Sequence, residues 1–354
     1  MTSGISVLFL GRGEAAEELS GAFHRLGVTV EFADAKAAAD AGQIQELVGR
    51  YHPDYVLPMV EAVAVDALKK LENDNTAVVV PSAHGCELTI ARDTLRHAAN
   101  QELGLPTTAY RFAKTWEEFE EATAEVGFPC IVKLPNWSSG SNHTVISSAA
   151  EVAQTWENVG ADAGGRVVVE QFIDFDYEVT LLAVRSIDPS TGRLATWFCE
   201  PIGHVHHKGR LVESWQPMPM SNYALDNARS MAARISNAIG GRGVCAVEML
   251  VSGDDVYFSG VTPRPQDAGA VTMGTQRLSQ YDLHARAILG LPLDATLISP
   301  GACFMLEEPV NNLAQALALP EVDIRLQRDE QNLVLATAET AELARSRARQ
   351  AASL

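Results

Sequence analysis

The chain has 354 residues, more than one hydrophobic core usually organises, so two or three domains are expected. Apolar residues make up 47% and charged residues 20%, ordinary for a soluble globular protein with a sizeable core. The net charge of -18 argues against nucleic acid as a partner, since a polyphosphate binds by releasing counterions to a basic surface, although a nucleotide can still occupy a local basic pocket.

Residues 5–10 form a short apolar run with no basic flank, followed at once by Gly11, Arg12 and acidic residues, which predicts a first buried strand and not a signal peptide. No stretch approaches the roughly 18 apolar residues of a membrane span. The first hundred residues alternate: strand over 6–10, helix over 15–26, strand over 28–32, helix over 44–50, strand over 54–57, helix over 62–71, strand over 77–80. Continuous apolar strands alternating with helices predict a parallel sheet covered on both faces. The loop Gly11-Arg12-Gly13-Glu14 lies at a strand's carboxyl end, where such sheets place ligands, but it lacks the third glycine of the dinucleotide fingerprint. A tight turn and a binding role explain it equally well.

After Leu105-Pro106 the pattern turns strand-rich, with strands expected over 130–133, 144–146, 166–170, 177–184, 195–200, 243–251 and 256–260. Two helices interrupt them, over 116–126 and 223–239, and a third over 278–289 closes the region. The last sixty or so residues hold two short strands, over 302–307 and 332–338, and a charged helix. Cys86, Cys130, Cys199, Cys245 and Cys303 are scattered, odd in number and set among apolar neighbours, as expected of reduced core residues in a cytoplasmic protein.

Four segments carry chemistry together. Gly127-Phe128-Pro129-Cys130-Ile131-Val132-Lys133 puts a lysine at the end of a buried strand, either a surface lysine or a point charge for a phosphate. Ser138-Ser139-Gly140-Ser141-Asn142-His143 is a small polar loop able to turn backbone N–H groups toward phosphate oxygens, and by itself equally a hairpin. Val167-Val168-Val169-Glu170-Gln171-Phe172-Ile173 leads into Asp176-Tyr177-Glu178, a strand suited to backbone contacts with adenine and a carboxylate contact with ribose. Val247-Glu248-Met249 pairs in prospect with the strand ending in Gly260-Val261-Thr262-Pro263-Arg264-Pro265, where a carboxylate suits Mg2+ and an arginine between prolines suits a transferring phosphoryl group.

With Glu178-Val179-Thr180-Leu181-Leu182, Glu213-Ser214-Trp215-Gln216-Pro217, Pro263-Arg264-Pro265-Gln266-Asp267 and Leu283-His284-Ala285-Arg286-Ala287-Ile288-Leu289-Gly290, the chain resembles formate-dependent phosphoribosylglycinamide formyltransferase, an ATP-grasp enzyme of purine biosynthesis, over nearly its whole length. The resemblance implies an α/β and α+β protein: an N-terminal Rossmann-like parallel-sheet (pre-ATP-grasp) domain over 1–105, an ATP-grasp fold over 106–295, and a small C-terminal β-rich domain over 296–354. It implies ATP and Mg2+ as cofactors, small carboxylate and amine substrates, a cytoplasmic homodimer, and no nucleic-acid or membrane partner. ATP would phosphorylate formate, and the amine of glycinamide ribotide would attack the formyl phosphate. By matching position, Arg92, Lys133, Ser138, Ser139, Gly140, Ser141, Asn142, His143, Glu170, Ile173 and Glu178 would bind ATP, and Glu248 the magnesium. Glu14, Ala15, Glu61 and Asp267 would bind the glycinamide substrate, with Arg264 beside the reacting groups.

The chain departs from that pattern where chemistry is concentrated. Gly140-Ser141-Asn142 replaces a Gly-Lys-Gly phosphate loop, and Gly260 replaces a second magnesium carboxylate, with only Thr262 and the turn residues Asp254 and Asp255 nearby. A lysine and paired arginines that grip the ribose phosphate in the family fall on the run Arg325-Leu326-Gln327-Arg328, where only Arg328 could deputise, and the segment over 33–42 is shorter. Two functions follow: a carboxylate–amine ligase whose amine acceptor is glycinamide ribotide or another amine, or a catalytically degenerate nucleotide-binding or regulatory relative. Separately, alternation puts His204 and His206 of Gly203-His204-Val205-His206-His207 on one strand face, open to a transition metal or to a plain histidine-rich surface hairpin.

Overall fold

The computed structural model describes residues 4–90, 92–133, 143–160, 166–207, 210–327 and 331–354; the side chains of Arg92, Asp93, His143 and Gly160 are outside this description. An N-terminal parallel sheet runs in the order β2 (Thr29–Ala33), β1 (Ser6–Leu10), β3 (Tyr55–Pro58), β4 (Val78–Val79). The central strand is buried on both faces. Val7 and Phe9 pack toward Leu19 and Phe23 of the helix Glu14–Arg25, whereas Leu8 and Leu10 pack toward Ile44, Val48 and Leu68 of the helices Ala41–Tyr51 and Val65–Asn73. Tyr281, Ala285 and Ile288, two hundred residues further on, join the first of these cores through the helix Gln280–Leu289. This shared core seats the N-terminal sheet on the rest of the molecule.

A second sheet is antiparallel, in the order β5 (Tyr110–Ala113), β8 (Val167–Gln171), β6 (Cys130–Lys133), β7 (His143–Ile146). Its apolar face, Cys130, Val132, Ile146, Val167 and Val169, is covered by Phe119 and Ala122 of the helix Trp116–Val126. The third sheet has nine strands. Its path is β14 (Asp255–Thr262), β13 (Gly243–Ser252), β9 (Tyr177–Ile187), β11 (Ile202–His207), β12 (Arg210–Gln216), β15 (Gly301–Leu306), β17 (Asn332–Thr337), β16 (Val322–Arg325), with β10 (Leu194–Phe198) beside the far half of β9. The helix Asn222–Ile239 covers the face bearing Val179, Leu181 and Val247. The opposite face bears Leu182, Ile202 and Ala246, packs on Leu283 and Ala287, and runs into a polar cleft.

Most strands and helices fall where expected, within a few residues. The helix anticipated over 62–71 starts at Val65, so residues 59–64 stay an irregular loop at the carboxyl end of β3. Sequence reasoning placed no elements at β5, at β16, at the helix Val152–Gly160, or at the helices Ala83–Ile90 and Arg92–His97, whereas the histidine-rich hairpin is present as the pair β11/β12. Most of these are four to nine residues long, too short for a period to declare itself. All five cysteines are free and buried, and no helix among the described residues is long and apolar enough to cross a membrane.

The Glu213–Pro217 motif turns out to be a docking device. Glu213 is 2% exposed and accepts from Arg345 (2.9 Å) and Arg349 (2.5 Å) of the helix Ala341–Ala352, while Arg345 stacks 3.8 Å above the Trp215 ring. Glu213→Gln leaves two arginines facing a neutral amide. Because both arginines reach solvent, the loss should lie near the low end of the roughly 3–5 kcal/mol for breaking a buried pair, read as a drop in denaturation midpoint; an unchanged midpoint contradicts the docking role.

His284 has a structural part as well. Its Nδ1 accepts from the Val244 backbone N–H at 2.8 Å, and a Cβ on Gly243, which sits at φ +131, would meet the ring at 2.7 Å. Burial, with Arg264 acting in the same direction, lowers its pKa from the ordinary 6.5 to about 3. Protonation therefore favours the unfolded chain: this contribution is complete above pH 6.5 and is lost as pH falls from there toward 3, at up to ~1.4 kcal/mol per pH unit. Thermal melts of wild type should fall more steeply with pH across this window than those of His284→Gln; parallel slopes contradict the assignment.

Candidate active site

The cleft lies between the second and third sheets, and its nearer wall is built on a buried acid. Glu170 ends β8 and is 6% exposed. Lys133 lies diagonally across on β6, because Ile131 is the residue opposite Glu170, and its Nζ donates to Glu170 Oε2 at 2.7 Å. Arg96, from the helix Arg92–His97, pairs with the other carboxylate oxygen and also donates to Thr108 at 3.3 Å. Burial alone would raise the Glu170 pKa; Lys133 and Arg96 outweigh it and hold the carboxyl below its usual range. Two cations thus face one anion, leaving one net positive charge beside the cleft. Among the described residues one ammonium hydrogen of Lys133 is used, out of the three it carries. Lys133 and Glu170, expected to contact the nucleotide separately, therefore form one ion-paired unit. The Glu170 backbone is committed too, paired with Ile131 of β6, so any backbone contact with an adenine falls to the residues after it. Sequence reasoning missed Arg96, which stands in no motif; only its helical position four residues from Arg92 hinted at it.

The chain then crosses from β8 to β9 through residues 172–176, with Phe172 and Phe175 more than a third exposed and Ile173 half-buried. Asp176 pins this crossing to the tip of the β13/β14 hairpin: its N–H donates to the Val251 carbonyl at 2.8 Å, and its Oδ2 accepts from the Gly253 N–H at 2.7 Å.

The farther wall is one face of the large sheet. Cross-strand partners share a face, and the register pairs Glu178 with His204, Thr180 with Glu248, and Glu248 with Gly260. Glu178 Oε2 lies 2.8 Å from His206 Nδ1 and 3.4 Å from His204 Nδ1. Burial pushes the Glu178 pKa up, but the two imidazoles prevail and bring it to about 2. Glu248 is half-buried, and a Cβ added at Gly260 would sit 3.6 Å from its Oε2, an ordinary contact. A longer side chain at 260 would therefore start beside Glu248 without a clash. Asp254 and Asp255 are exposed in the hairpin turn, as expected.

Gln280 clasps the segment that follows β14. It accepts from the Gln266 N–H at 3.1 Å and donates to the Gln266 carbonyl at 2.7 Å, while Gln266 donates to Thr180 at 3.3 Å. This fixes Arg264 and Asp267 at the base of the cleft. Burial lowers the Arg264 pKa, with Glu61, Cys86 and Asp267 opposing it. Asp267 keeps an open side, yet the surrounding protein raises its carboxyl above the usual range against the pull of Arg264 and His206. Arg264 and Glu61 line a small cavity of about 70 Å³ together with Pro58, Val60 and Thr262. At its edge, Gly11 sits at φ +115, and a Cβ there would come within 2.4 Å of Val60, so only glycine lets the β1 loop approach. Glu14 and Ala15 begin the following helix, both half-buried.

From segments spread over two hundred residues, Lys133 and Glu170 thus meet on the second sheet, Glu178 and Glu248 share a face of the third, and Arg264 lies near Asp267 and Glu61. Ser138, Ser139, Gly140, Ser141, Asn142 and Arg328 lie outside the described residues, as do the side chains of Arg92 and His143. In the run expected to face a ribose phosphate, Arg325 is on the edge strand β16 and pairs with Asp323 at 2.9 Å.

Residues 98–281 match the family model of the ATP-grasp domain. The formate-dependent phosphoribosylglycinamide formyltransferase of Corynebacterium efficiens is 47% identical, over 98% of this chain and 94% of its own length. That of Rhodococcus jostii is 44% identical, over 100% and 96%. Among solved structures, glycinamide-RNase-transformylase T from Mycobacterium tuberculosis aligns at 36% identity with a TM-score of 0.85, covering 98% of this chain and 99% of that one. An N5-carboxyaminoimidazole ribonucleotide synthetase in complex with ADP, 23% identical at a TM-score of 0.87, shares the fold. The chain belongs to the formate-dependent phosphoribosylglycinamide formyltransferase family and is an ATP-dependent enzyme of the ATP-grasp class.

Proposed function

We propose that the chain is a carboxylate–amine ligase: the γ-phosphoryl group of ATP passes to an oxygen of formate or another small carboxylate, and an amine nitrogen attacks the acyl carbon and expels phosphate. The observation that carries this reading is the surplus positive charge of Arg96 and Lys133 over Glu170, on a cleft whose other wall holds Glu178, Glu248 and Arg264. Lys133 holds a phosphate as a point charge. Glu170 holds Lys133 beside the nucleotide, the backbone after it as far as Ile173 meets the adenine, and Glu178 meets the ribose. Arg92 and the loop from Ser138 to His143 belong to the same phosphate site. Arg264 stabilises the charge that develops on the transferring group. Glu14, Ala15, Glu61 and Asp267 orient the amine, and holding both reactants in one cleft supplies rate through proximity.

Mg2+ takes oxygen ligands and is commonly held by one or two carboxylates plus substrate phosphates. Glu248, facing the cleft with no carboxylate at 260, fits the single-carboxylate form. Bound there, the ion offsets charge on the transferring phosphoryl group. Glycinamide ribotide is the family's acceptor, and the pairing of Arg325 with Asp323 favours testing other amines beside it. A cytoplasmic homodimer completes the proposal. The bare Gly260 beside Glu248 gives substance to the second reading, a nucleotide-binding relative without turnover.

Three measurements separate these. ADP release from ATP and Mg2+ with formate should require an amine, glycinamide ribotide or a substitute; nucleotide binding without ADP release under any pairing supports the second reading. Lys133→Gln should weaken ADP binding in calorimetry by roughly 10- to 150-fold, the equivalent of one charge-assisted contact of about 1.5–3 kcal/mol; unchanged affinity contradicts the phosphate role. Gly260→Glu should raise turnover at least about tenfold, since one extra charge contact is worth about that much; no change removes the metal argument.

A further inference from the structure

His204 and His206 have no part in the proposed ligase chemistry, yet His204 is only 5% exposed and neither of its ring nitrogens has a hydrogen-bond partner. A buried polar group left unpaired is costly. Its Nδ1 lies 3.4 Å from Glu178 Oε2, outside hydrogen-bonding geometry, while the His206 ring stands edge-on to it with centroids 5.1 Å apart. Along β11 strand alternation puts His204 and His206 on one face, while the bulged residue opposite is Val212 of β12, where the register passes from Val205–Glu213 to His206–Leu211. As a result, one donor atom from each of Glu178, His204 and His206 lies within 4.8 Å of the other two, the one such set of three among the described residues.

A tetrahedral Zn2+ with bonds of about 2.0–2.2 Å places its ligand atoms about 3.4 Å apart. That edge equals the separation of His204 Nδ1 from Glu178 and exceeds the 2.8 Å of His206 Nδ1, so closure on an ion needs only sub-ångström to ångström adjustment of side chains. Two imidazoles and one carboxylate suit a borderline divalent ion and not Mg2+, which prefers oxygen alone. Two adjacent strands, β9 and β11, hold all three ligands on rigid backbone. His206, a third exposed, leaves the fourth position open to water from the cleft.

We propose that Glu178, His204 and His206 form a binding site for a divalent transition ion of the Zn2+ type, available when no nucleotide is present. Ion and ribose would share Glu178, so the ion would act against nucleotide binding.

The test uses the full-length chain without nucleotide or Mg2+, titrated with Co2+ and followed by its visible ligand-field absorption. The site predicts one band that saturates at one ion per chain and is displaced by Zn2+. In His206→Ala, a change at the cleft edge, and in Glu178→Gln, Co2+ should bind at least about 100-fold more weakly, more than the loss of an outer-shell partner typically costs. Absence of a saturable band in wild type, or a band of unchanged affinity in both variants, overturns the site. No nucleotide enters the assay, so failure here is separable from failure of the ligase proposal.

Discussion

Glu170 is almost wholly withdrawn from water, and two cations from distant parts of the chain converge on it. An isolated carboxylate at that depth would be neutral or would not be there. Lys133 and Arg96 make its charge tolerable, and in doing so their own positions are settled: one on the strand β6, the other on a helix outside the sheet. The polar face of the second sheet and the charge it presents thus depend on one ion-paired triad, while its apolar face packs on the helix behind it. Removing the acid would leave two cations at close range, whereas removing either cation would leave the acid under-compensated. Replacing a buried ion pair or triad with apolar residues is often neutral or stabilising, whereas removing one partner is strongly destabilising.

The farther wall follows from register. Because β13 pairs with both β9 and β14, Glu248 is brought beside Thr180 on one side and Gly260 on the other. Strand pairing runs through Gly260, with a bulge at the neighbouring Ser259, and the space beside Glu248 is open. Gln280, reaching from the helix that also covers the N-terminal sheet, clamps the segment carrying Arg264 and Asp267. Fold and site share that helix, so the segment carrying Arg264 and Asp267 is tied directly to the core beneath it.

Much of this was legible in the residues. Continuous apolar runs such as Val7–Leu10 declare strands buried on both faces, and Trp116–Val126, with Thr115 as its cap, declares a helix. Among the motif residues, Lys133 does meet Glu170 on the second sheet, and Glu178 and Glu248 share a face of the third. Partnerships were not legible. That Lys133 would be held by Glu170, that Arg96 would join them, and that Glu213 would bind the last helix all depend on contacts between segments tens to more than a hundred residues apart. Local pattern carries no record of those. Alternation put His204 and His206 on one face of β11, but it held no sign that Glu178 of β9 would lie beside them. Edge strands of four residues, β5 and β16, are too brief for their period to stand out from loop sequence.

The most direct test of the central claim is a crystal structure of the chain with a non-hydrolysable ATP analogue and Mg2+. The account predicts an adenine against the backbone of residues 171–173, the ion beside Glu248, the triphosphate running from Lys133 toward Arg264, and the pairing of Glu170 with Arg96 intact. A nucleotide seated elsewhere, or one that reaches this cleft only by breaking that pair, would contradict it.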